Sequence, residues 1–134
     1  MAKIAKKLVL FEIGHSTEEA LKRIAILQNR EISAVIAILT EVVLDAVAKE
    51  PRVLIRFRAK RNESPTCFEH AGLAGKYYHL AMQLASACGL THSEFFDRLL
   101  AVGVEYCPKS GAWKKEDIVS AISADCVIRF SRLA

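Results

Sequence analysis

Arg52-Val53-Leu54-Ile55-Arg56-Phe57-Arg58-Ala59-Lys60-Arg61 is an alternating segment. Val53, Ile55, Phe57 and Ala59 interleave with Arg52, Leu54, Arg56, Arg58 and Lys60. A period of two sends the two sets to opposite faces of a strand, one apolar and one basic. The apolar face demands a core. The basic face either keeps an edge strand from pairing wrongly or meets an acidic group.

Upstream, Pro51 stops the segment before it. Residues 31–49 have helical periodicity, with Ile32, Val35, Ile36, Leu39, Val42, Val43, Ala46 and Val47 on one side and a polar wedge at Glu41 and Asp45. A helix apolar nearly all round is buried nearly all round, so it is either the central core helix or an oligomer contact through Ile32, Val35, Ile36, Leu39 and Val43. Before it, Ser16-Thr17-Glu18-Glu19 has capping-box spacing and opens a helix that Asn29-Arg30 can end. The apolar run 7–13, bounded by Gly14, is read as a strand.

Downstream, Ser64-Pro65 has the composition of a helix start, so residues 66–88 are read as a helix with a bend or break near Gly72 and Gly75. Gly89 is a natural C-cap. Thr91-His92-Ser93-Glu94 is a second capping box, followed by an amphipathic helix to about residue 102. Residues 115–123 form a short helix, and 126–131 alternate again as a closing strand. Leu54-Ile55-Arg56-Phe57 and Val127-Ile128-Arg129-Phe130 look alike, as similar local physics produces without duplication.

The 134 residues, 52% hydrophobic with only three Pro and six Gly, suit one globular domain spanning 1–134. A mean hydropathy of +0.21 is high for so small a chain, and a homo-oligomeric interface, most simply a homodimer, is the economical cover for the apolar excess. The net charge of +4 is mildly basic. Four cysteines without a C-x-x-C pair, and no leader-like segment, point to reduced thiols in a cytoplasmic protein. No apolar run is long enough to cross a bilayer.

Cys67-x2-His70 and Cys88-x3-His92 have zinc-binding composition, but one helix over 66–88 would hold the pairs roughly 30 Å apart. No metal or cofactor is assigned. Gly14-His15-Ser16 and Cys88 with His92 are the local nucleophile candidates, and Ser16 is better explained as an N-cap, so no catalytic residue is assigned. Leu84-Ala85-x3-Gly89-Leu90-Thr91-x3-Phe95 resembles a helix-turn-helix core. It departs from that pattern in its second helix, where Glu94, Asp97 and two Phe stand beside a single cation, Arg98.

The expected fold is α+β, mainly helical, with a two- to three-stranded sheet from 7–13, 52–59 and 126–131 packed against helices. The expected function is non-enzymatic: a small binding or adaptor protein acting as a homo-oligomer. Arg52, Arg56, Arg58, Lys60, Arg61, Arg129 and Arg132 would meet an acidic partner or a phosphate backbone. The alternatives are a nucleic-acid-binding accessory regulator and a small-molecule binder or enzyme with a pocket lined by Tyr77, Tyr78, His79 and His92.

Overall fold

A computed structural model describes residues 6–58, 63–108 and 113–131. The chain is α+β and mainly helical. Strand β1 (Lys6–Ile13) leads through Gly14 into α1 (His15–Gln28) and then α2 (Ile32–Lys49). A 3₁₀ segment covers Pro51–Arg58. Strand β2 (Cys67–Ala74) runs directly into α3 (Gly75–Ala87), followed by α4 (His92–Glu105) and α5 (Lys115–Phe130). β1 and β2 make a two-stranded antiparallel sheet in which Lys6 faces Ala74, Val9 faces Ala71 and Ile13 faces Cys67.

α2 is the centre. It packs against α1, α3, α4, α5, β2 and the 3₁₀ segment. Val35, Ile36, Leu39 and Val43 are fully buried within the chain, while Ile32 is partly buried. Four of the five residues offered as an oligomer contact are therefore consumed by the chain's own core, and only Ile32 keeps part of its surface. Even its polar wedge is used: Glu41 takes Lys115 Nζ at 2.8 Å, and Asp45 accepts the Tyr77 hydroxyl at 3.0 Å. α4 lies under β1 and along α2, where a Cβ on Gly103 would stand 3.3 Å from Val43 Cγ2. Phe11, Phe96, Phe95 and Phe57 form a chain of ring contacts from the sheet to the 3₁₀ segment, with centroids 4.7 to 6.1 Å apart.

Several local signals operate as read. Asn29 adopts a left-handed conformation, φ 51°, and closes α1. Thr91 and Glu94 exchange both capping-box bonds at 3.1 Å. Ser16 does not cap α1. The helix starts two residues earlier than a cap at Ser16 requires, with Gly14 as its N-cap; Gly14 N–H donates to buried Asp97, and Ser16 N–H and hydroxyl both donate to Glu63.

Three segments depart from expectation. Residues 52–58 are helical, not a strand; Ala59 lies outside the described residues. Val53 and Phe57 are both fully buried, because the 3₁₀ turn is packed on α2, α4 and α5 and its side chains, about 120° apart at a spacing of four, face more than one of them. Pro51 ends α2 and also opens this turn, as proline does at a first helical position. Residues 67–74 are a strand, although Ala, Gly and Glu are poor strand formers. β1, rich in Leu, Val, Phe and Ile, recruits them as its partner. Residues 126–130 complete α5, whose buried stripe is Ile118, Ile122 and Cys126. Ile128, placed inside by alternation, is 74% exposed.

Candidate interaction site

The inner face of β1 carries Val9, Phe11 and Ile13, all buried. Its outer face carries Lys6, Leu8, Leu10 and Glu12. Across from these, in register, lie Ala74, Gly72, His70 and Phe68 of β2. Leu8 is 71% exposed, Leu10 45% and Phe68 59%. Antiparallel sheets with one free face normally make it polar. Here the free face has an apolar centre flanked by Lys6 at one end and Glu12 at the other. The sheet has only these two strands among the described residues, so no further strand covers its flanks.

The sequence held a signal for this face. In 7–13, Leu8 and Leu10 alternate with Val9 and Phe11, so both faces of the strand are apolar. A small sheet packed on helices can bury only one of them.

The arginines do not form a row. Arg52 pairs with Glu50, Nε to Oε1 at 2.6 Å. Arg56 is only 12% exposed at its side chain and donates to Glu105 at 2.6 Å and to the Tyr106 hydroxyl at 2.8 Å. Tyr106 in turn donates to Asp125, which also receives Arg129 Nε at 2.9 Å. The two look-alike segments thus meet: the 3₁₀ segment packs on α5, and Arg56 and Arg129 converge on one carboxylate. The Tyr106 hydroxyl, the Arg129 guanidinium and Arg56 hold the Asp125 carboxyl below its ordinary range, against a smaller opposing effect of burial. Arg58 is exposed, and Lys60, Arg61 and Arg132 lie outside the described residues.

The tyrosine and histidine set is dispersed. Tyr77 turns towards α2, where burial and Asp45 push its phenol up to about 12. The Tyr78 ring lies under the Lys7 ammonium, 4.3 Å from its centroid. His79 is exposed at the ring edge of Tyr78. His92 opens instead on a shallow recess at the α3–α4 turn with Ser86, Leu90, Thr91 and Ser93. A groove joins α1 and the end of α4, its apolar lining of Ala20, Ile24, Leu27, Val104, Cys107 and Pro108 bordered by Arg23 and Glu105.

Of the nucleophile candidates, Ser16 and His15 are engaged elsewhere. His15 Nε2 points along α1 to Glu19 at 3.1 Å, not to Ser16. Burial raises the thiols of Cys67, Cys107 and Cys126, that of Cys107 to about 12, which keeps them protonated at neutral pH. Cys67 and His70 sit three apart on a strand, hence on opposite faces. The helix that resembles a recognition helix is α4, whose Phe95, Phe96, Asp97, Leu99 and Leu100 are buried, while Arg98 turns inward to the Phe57 carbonyl at 2.5 Å.

The chain matches no known protein-family model, and no curated protein or solved structure shows significant similarity to it. Among the described residues, no helix is long and apolar enough to cross a membrane.

Proposed function

We propose that this protein is a non-enzymatic binding module, an adaptor, that associates through the outer face of its β1–β2 sheet. The observation that supports this reading is the exposure of Leu8, Leu10 and Phe68 on one sheet face, Phe68 opposite Glu12 and diagonal to Leu10, which the other described elements leave open. Exposed apolar groups that adjoin one another mark contact surfaces, whereas single ones are ordinary. The arginines support the reading less, because Arg52, Arg56 and Arg129 each already face a carboxylate.

A photo-crosslinking side chain placed at position 68 tests the proposal. The comparison is the same side chain at position 124, an exposed site on α5. Irradiation of cells should give discrete adducts from position 68 and none of the same mass from position 124. Equal adducts from both, or none from 68, would remove the sheet face from consideration.

A further inference from the structure

We infer that the occupant of this face is a second copy of the chain, its sheet stacked on the first about a two-fold axis that runs between the two sheets, parallel to and level with the Val9–Ala71 pair. The inference rests on the adaptor reading above and names its partner. It comes from the order of residues on the open face. Along β1 that order is Lys6, Leu8, Leu10, Glu12, and along β2, in register, Ala74, Gly72, His70, Phe68.

Val9 is the midpoint of the first set and Ala71 of the second, and Val9 and Ala71 face each other across the ladder. One two-fold axis therefore serves both strands at once. Turning a second copy about it and laying the faces together sets Lys6 over Glu12 of the second copy, twice. Leu8 meets Leu10, Phe68 meets Ala74 and His70 meets Gly72. Opposite charges face each other at the rim, leucines fill the middle, and each large β2 residue meets a small one. Aligned sheets pack about 10 Å apart with side chains interdigitated in this way. A two-fold contact must be self-complementary, and this face is. The β2 face alone is not sufficient, since it carries neither a carboxylate nor an ammonium group.

The size of the face sets the strength. Two strands of eight residues extend about 27 Å by about 10 Å, roughly 300 Å² per copy. Doubled, that is roughly half of the ~1,200 Å² at which stable interfaces begin. An interface of this size belongs with the weak, transient contacts, so the dimer must dissociate on dilution.

Sedimentation equilibrium of the full chain, from about 10 µM to about 1 mM, reads this directly. The expected result is a monomer–dimer equilibrium across that range. Lys6→Glu or Glu12→Lys alone replaces two attractive pairs by two repulsive ones and should raise the dissociation constant roughly ten-fold. The two reversals together should restore it, which no misfolded single variant could explain. Leu8→Ser should abolish the dimer while leaving the far-UV circular dichroism and melting curve in place.

A chain that stays monomeric at the top of the range overturns the inference, as does a dimer indifferent to Leu8→Ser or a double reversal that fails to restore. The two readings fail separately. Adducts from position 68 at twice the chain's mass support both. Adducts only of another mass leave the adaptor reading standing and remove the second copy.

Discussion

Truncating Arg56 to Ala should cost the fold about 2 kcal/mol. The guanidinium is 12% exposed and joins three elements: its own 3₁₀ segment, the end of α4 through Glu105 and Tyr106, and α5 through Asp125. Hydrogen bonds involving a charged group contribute about 1.5–3 kcal/mol when buried, and exposed ion pairs about 0–1 kcal/mol. Glu105 is half exposed, so its bond belongs near the lower figure. The bond to Tyr106, which is part-buried, belongs nearer the upper one. Urea denaturation followed by circular dichroism measures the loss, and a calorimeter should show Tm lower by roughly 8 °C. Arg56→Lys keeps the charge but cannot span both partners, and should recover about half of the stability. A truncation that costs less than about 0.5 kcal/mol would refute the reasoning. It would mean that Arg56 is solvated and available to an acidic partner, as strand alternation implied.

Gly103→Ala sets two effects against each other: about 1 kcal/mol of helix propensity gained, and about 1–3 kcal/mol of crowding against Val43 and Leu39 at 3.3 and 3.4 Å. Crowding should win by about 1 kcal/mol in urea denaturation, and a stabilised variant would show slack between α2 and α4. Gly89→Ala places a Cβ in open space but at φ +69°, so its cost of about 1–2 kcal/mol should be purely conformational, and Gly89→Asn should recover most of it. The Glu94 carboxyl is held below its ordinary range by the Thr91 backbone N–H and then its hydroxyl. Its folded value lies below the unfolded one, so its stabilisation is present above pH ~4.3 and disappears as pH falls through the folded value. The urea midpoint of Glu94→Gln should therefore depend less steeply on pH below that point than the unsubstituted chain's.

Local signals hold in some places and not in others: Ser16 has capping-box spacing and yet α1 is capped at Gly14. A capping box needs only four residues, and the one at Thr91–Glu94 forms. α2 was legible because an apolar arc over eighteen residues has one interpretation. The strands were legible only where the residues themselves prefer extension, as in β1. Segment 67–74 has no such preference, and its state is set by a partner more than fifty residues away. Segment 52–58 shows the converse. Its alternation is real, but among the described residues no strand edge lies beside it, and α2, α4 and α5 around a 3₁₀ turn bury Val53 and Phe57 as a sheet would. The arginine face failed for the same reason, since it existed only on a strand. Glu63 and Glu105, the carboxylates that hold Ser16 and Arg56, come from distant parts of the chain, where no spacing rule reaches, whereas Asp125 holds Arg129 at the ordinary i,i+4 spacing of a helix, which the strand reading of 126–131 concealed.

The high mean hydropathy takes on a narrower meaning once its apolar residues are located. It suggested an oligomer because a small chain has much surface to cover. Yet α2, the most apolar segment, is covered almost completely by its own chain, so composition alone does not require a second copy. Among the described residues, the large apolar side chains left outside fall into three places: Leu8, Leu10 and Phe68 on the sheet, Ile26 and Leu27 at the end of α1, and Val127 and Ile128 at the end of α5. The helix pairs are two neighbours in sequence, as any fraying helix end exposes. Only the sheet set is assembled from two segments brought together by folding, flat, and bounded by opposite charges. The case for association therefore rests on arrangement and not on quantity, which is why charge reversals at Lys6 and Glu12 probe it more sharply than any change in overall hydropathy.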